Sequence, residues 1–150
     1  MPSKPFTFRL ERVRELREHA EGQAKEQLAA SLSQQMRGAA MLAQACERLA
    51  AAADARRAQE GGVLSAQELI AHELWARALG RDQEAADAAL RRYEDEVSER
   101  RTALGEASRE REVLERLKER QREAHSLDAA RHEGAELDEL ALNRHVRRAA

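Results

Sequence analysis

His125, Asp128 and His132 are spaced by three and four residues, which on a helix would set two imidazoles and a carboxylate on one face, as metal ligands are set. One helix supplies at most three ligands at that spacing, and no cysteine or partner carboxylate is assured to complete the set, so a solvated face is the ordinary reading. His72-Glu73 lacks the second histidine of a zinc-protease helix, because the position four residues on is Ala76. Gly61-Gly62 has neither the lysine nor the strand context of a phosphate-binding loop. The basic run from Arg9 to Arg17 is broken by Glu11 and Glu15, and with a calculated pI of 6.2 it does not form a nucleic-acid footprint. Cys46 is the single cysteine and can make no intramolecular disulfide; a small apolar core residue is the first reading, a regulatory thiol the alternative. No cofactor, metal or catalytic residue is expected, and the chain is read as a non-enzyme.

Any such group would have to be held by helices. Leu, Ile, Val and Phe make up about 17% of the chain, below the roughly 20% that a globular core requires. Disorder is opposed by the near balance of 26 basic and 28 acidic residues. Ala, Glu, Lys, Leu and Arg fill about two-thirds of the positions, β-branched residues are few, and proline is confined to Pro2 and Pro5. That composition specifies long helices. No apolar run approaches the roughly 18 residues of a membrane span, and no signal-peptide pattern opens the chain, so a cytoplasmic protein without membrane insertion is expected.

One stripe of apolar or small residues runs through Phe6, Leu10, Val13, Ala20, Ala24, Leu28, Leu32, Ala39, Leu42, Cys46, Leu49 and Ala53 in steps of mainly three and four. It stops at Gly61-Gly62, where Gly61 suits a left-handed helix end and Ser65 with Glu68 reads as a capping box. A second stripe follows through Leu69, Ala76, Leu79, Ala86, Leu90, Tyr93, Val97, Leu104, Ala107, Leu114 and Leu117. The expected fold is all-α: a single elongated antiparallel coiled-coil hairpin, with helix one over about 6–59, a turn at 60–65 and helix two over about 66–147. Helix two is the longer, so its distal part lacks a partner. Folding about the turn puts Leu32 near Tyr93, Leu28 near Val97 and Leu10 near Leu114. Such a coil has no concave pocket for catalysis. Trp75, the only tryptophan, shares a helical line with Leu79, Asp82 and Ala86; it either fills the groove over Ala50 to Ala53 or stands out as an interface anchor.

The two ends carry a family likeness. Phe6-Thr7-Phe8-Arg9-Leu10-Glu11, leading into helix one, resembles the opening of the flagellar FliJ family, and Leu114-Glu115-Arg116-Leu117-Lys118-Glu119-Arg120 and Leu137-Asp138-Glu139-Leu140 resemble its C-terminal phrases. Glu133-Gly134-Ala135-Glu136 and Asp82 depart from the family pattern. The resemblance implies a type III export component similar to the central stalk of rotary ATP synthases, which binds the hexameric export ATPase and promotes its activity, reaches the export gate membrane protein, and escorts export chaperones. It implies a location at the cytoplasmic face of the inner membrane at the flagellar base. Carried onto this chain, the ATPase-ring contacts are Arg9, Arg12, Arg14, Leu114, Lys118, Arg120, Asp138, Glu139, Arg144 and Arg147, and the gate contacts are Trp75, Leu79 and Ala86. A largely monomeric rod is expected on this reading. The stalk of a virulence-type injectisome and an unrelated dimeric coiled-coil scaffold are the alternatives.

Overall fold

The computed structural model describes residues 5–59, 61–62 and 64–149, with side chains as far as residue 145. Two helices make up the regular structure, α1 (Glu11–Ala58) and α2 (Ala66–Ala149), and the described residues contain no strand. The all-α hairpin anticipated from composition is therefore present. Contacts divide it into two units, Gly22–Gly105 and the remainder of the chain on either side of it.

α1 starts later than position 6. The aromatic-x-aromatic phrase stays outside the helix: Phe8 turns inward and is buried, and only then do the Glu11 amide (3.2 Å to the Phe8 carbonyl) and the Arg14 amide (2.9 Å to the Leu10 carbonyl) open the first turn. α2 begins with the expected capping box. Ser65 donates from both its amide (2.7 Å) and its hydroxyl (2.8 Å) to Glu68 Oε2, while the Glu68 amide donates back to Ser65 Oγ at 3.3 Å. The left-handed glycine does not occur, since no described glycine has a positive φ. The chain instead leaves α1 through tight turns, with Gln59 N donating to the Arg56 carbonyl at 3.1 Å and Gly62 N to the Gln59 carbonyl at 3.0 Å.

In the unit Gly22–Gly105 an unbroken heptad of less exposed positions runs along both helices, with others such as Leu32 and Asp87 beside it. On α1 the heptad positions are Ala24, Leu28, Ser31, Gln35, Gly38, Leu42, Ala45, Leu49 and Ala52; on α2 they run from His72 and Ala76 through Leu79, Ala86, Leu90, Tyr93 and Val97 to Leu104. The α2 stripe matches the sequence reading from Ala76 onward. The α1 stripe is rotated by one residue at alternate positions: Leu28, Leu42 and Leu49 lie in the seam as expected, but Ser31, Gly38, Ala45 and Ala52 take the places expected for Leu32, Ala39, Cys46 and Ala53, and Cys46 is exposed. Tyr93 supplies the reason, because its ring needs the space that Gly38 leaves open.

The register is also displaced. Tyr93 meets Gly38 and not Leu32, and Arg100 reaches Gln27 at 3.0 Å. The helices are out of step because the first turn and a half of α2 takes no part in pairing: Gln59 meets His72 at 2.9 Å, and Leu69, expected in the seam, is 44% exposed.

The other unit is held differently, with charged residues at the seam. Arg14 donates to Glu115 at 2.9 Å, Arg17 to Glu110 at 2.7 Å and Lys118 Nζ to Glu11 at 2.9 Å, where Leu10 against Leu114 was expected. Glu21, buried, accepts from Ser108 Oγ at 3.0 Å and from Arg111. Long basic side chains cover apolar surface with their stems while their heads pair across the interface.

Candidate protein-interaction surfaces

In the unit formed by the two chain ends, the residues assigned to an ATPase contact fall into distinct environments. Arg14 and Lys118 are engaged within the molecule. Arg14 bridges Glu11 at 2.8 Å, Glu18 at 3.1 Å and Glu115 at 2.9 Å, and Lys118 closes the network on Glu11. Hydrogen bonds from Lys118 and Arg14 hold the Glu11 carboxyl below its usual value of 4.5, and those to Glu11 and Glu115 raise the affinity of Arg14 for its proton. Leu114 is half-buried at the seam.

Arg9 and Arg12 are exposed and enter no ion pair among the described residues. Arg120 is exposed, with Nε 3.4 Å from the Arg116 carbonyl. Asp138, Glu139 and Arg144 lie on the exposed distal part of α2, where Leu137, Leu140, Ala141, Arg144 and His145 line a shallow groove. The side chain of Arg147 lies outside the described residues. The structure thus separates outward cations (Arg9, Arg12, Arg120, Arg144) from cations that tie the helices together (Arg14, Lys118).

Phe6 and Phe8 were legible as a phrase but not as a device. Phe6 sits with its ring 5.7 Å from that of His125, tilted by 58°, while Phe8 is buried, so the opening phrase clips the chain start onto α2. His125 is therefore engaged by an aromatic ring, and no group of three metal-binding side chains converges among the described residues.

In the unit Gly22–Gly105, Trp75 is 51% exposed, so groove filling is not its role. The hollow beside Ala52 and Ala53 is bordered by His72 and Ala76 instead. Leu79 is buried and Ala86 half-buried in the seam, leaving Trp75 as the exposed apolar member of that line, beside the exposed Asp82. Leu74 and Ile70, each 59% exposed, are four residues apart and share a separate face of α2. A half-exposed tryptophan keeps flat apolar surface open to solvent. No described helix is long and apolar enough to cross a membrane.

No curated protein and no solved structure gives a significant match to the chain. The family model described as flagellar FliJ protein matches residues 6–150, from the Phe6 clip onward. With both end phrases inside the match and two helices paired as a coiled coil, the chain belongs to the flagellar FliJ family of type III export components.

Proposed function

We propose that this protein is a stalk of the flagellar export apparatus that binds the hexameric export ATPase through the outward cations of its end-formed unit and the export gate through Trp75. The observation that carries the reading is the division among the basic residues. Glu11, Arg14, Glu115 and Lys118 fix the two helices against each other, and Arg9 and Arg12 project from that fixed base without partners among the described residues. A contact surface on a stiffened base loses less freedom when it binds.

The protein's own contribution is mechanical. A two-helix coil inserted in a six-fold ring meets the subunits unequally and biases their closure, while the ring carries out hydrolysis. On this reading the protein is monomeric, resides in the cytoplasm at the flagellar base, and hands export chaperones to the apparatus through further protein contacts. The family match favours the flagellar apparatus over the injectisome.

The test is the hydrolysis rate of the export ATPase with and without this protein. Stimulation is expected, and Arg9→Glu with Arg12→Glu is expected to reduce it without loss of helicity. An ATPase that neither binds the protein nor changes its rate would end the reading.

A further inference from the structure

The rotation of the α1 seam leaves an apolar shoulder uncovered. Each seam residue Ser31, Gly38, Ala45 and Ala52 is followed by an apolar neighbour, and of these Ala39, Cys46 and Ala53 are exposed. Met36, 73% exposed, three residues before Ala39, and Ala43, between Ala39 and Cys46, lie on the same side of the helix. From Gln27 to Cys46 the only charged residue is Arg37, in a chain that is 36% charged. A solvated helix face in this protein is elsewhere dense with Glu and Arg, so solvent alone does not account for this one.

The matching shoulder of α2 has the opposite character. In an antiparallel pair, residues that follow corresponding seam positions flank the same side of the coil. On α2 these include Asp87 and Glu94, following Ala86 and Tyr93, with Glu84 and Arg91 just outside them. Arg91 is taken up by Asp87 at 2.8 Å. Glu84 and Glu94 are exposed and enter no ion pair among the described residues. The wider stretch from Asp82 to Glu99 holds seven acidic residues and two basic ones. One side of this unit therefore joins an uncharged, small-residue wall to an acidic wall.

We infer that this side receives a basic amphipathic helix from another protein, its small apolar side chains against Met36, Ala39 and Ala43 and its lysines or arginines along Glu84 and Glu94. The alanines allow close backbone approach, and Met36 adapts to uneven side chains. Glu84 and Glu94 are about 15 Å apart along α2, so the incoming helix carries its basic residues roughly three turns apart. A second copy of this chain offers the same acidic wall to itself and is disfavoured by like charge. The site differs from the Trp75 patch and does not depend on the export reading, because ATPase stimulation is measured separately.

The probes are two fluorescein-labelled synthetic helices of about 20 residues with the same alanine–leucine stripe, one edged with lysine and one with glutamate, titrated onto the full chain by anisotropy. The lysine-edged helix is expected to bind saturably, at least about tenfold more tightly than the other, with the difference shrinking as salt rises. Glu84→Lys with Glu94→Lys is expected to reverse the preference, Met36→Asp to weaken both helices, and Met41→Asp, on the other side of α1, to leave the affinity unchanged. Circular dichroism on each variant separates lost binding from lost helix. Absence of saturable binding, equal affinity for both probes, an unchanged preference in the double variant, or a dimer that Met36→Asp dissociates would each overturn the inference.

Discussion

Gly38 and Tyr93 fit together as hole and knob: a Cβ placed on Gly38 would stand 2.7 Å from Tyr93 Cδ2 and 3.1 Å from Cε2. A planar ring yields little at its near edge, so adding the methyl requires the ring or the helices to move. Overpacking of this kind costs about 1 to 3 kcal/mol, against about 1 kcal/mol gained from replacing glycine in a helix. Gly38→Ala is expected to lower the thermal midpoint. In a Tyr93→Leu background the clash is gone and the same substitution is expected to stabilise. The double-mutant cycle reads the coupling as that change of sign, and additive effects would show that the ring does not set the seam.

Gly22, Gly80 and Gly105 are the converse case. All three are helical, none has a positive φ, and a Cβ at each would meet nothing within 4 Å. Alanine at any of them is expected to raise stability by about 1 kcal/mol, through helix propensity and a less disordered unfolded chain. Denaturant unfolding midpoints with unchanged slopes are the measurement.

These glycines also mark where the sequence was readable. Helix number, the turn and the Ser65–Glu68 cap follow from local signals: proline depletion, the glycine pair, and a side chain reaching its own backbone three residues away. The α2 stripe was legible because its seam residues are mostly the large ones, Leu79, Leu90, Tyr93, Val97 and Leu104. On α1 the rule that apolar residues line the seam failed by one position, since Leu32, Ala39 and Cys46 are better apolar candidates than Ser31, Gly38 and Ala45. What decides there is non-local: the shape of Tyr93 on the other helix. The register missed for a related reason, as nothing local announces that α2 runs past Leu69 and Ile70 before pairing begins. Among the site residues, type alone could not separate Arg14, which bonds three carboxylates, from Arg12, which meets none among the described residues.

Acid should reveal the polar contacts. Glu11 is held below 4.5 by Lys118 and Arg14, and Glu68 by the amide and then the hydroxyl of Ser65. A carboxyl whose folded-state pKa is depressed stabilises the fold above its unfolded value and loses that contribution as pH falls through the folded value. Stability is therefore expected to hold from neutral pH towards 4.5 and to fall below it. Glu11→Gln with Glu68→Gln keeps an acceptor oxygen at each site but removes the titration. Its thermal midpoint is expected to start lower at neutral pH and to show a shallower acid limb. An acid limb as steep as that of the parent would assign the loss to other carboxylates.

Trp75 offers an intrinsic reporter of the proposed gate contact. Trp75 is about half exposed, while Leu79, four residues on, is the one buried in the seam, so Trp75→Ala is expected to cost no more than about 1 kcal/mol of stability. An anchor of this type typically contributes 2 kcal/mol or more to binding, so the same substitution is expected to weaken association with the cytoplasmic part of the export gate by about thirtyfold or more. Because the protein has one tryptophan, a tryptophan-free gate fragment should shift its emission to the blue as the ring leaves water. ATPase stimulation is expected to survive Trp75→Ala, since the cations proposed for the ring belong to the other unit. A blue shift with unimpaired binding of Trp75→Ala would place the ring beside the contact without making it an anchor; loss of stimulation together with gate binding would show that a single surface serves both partners.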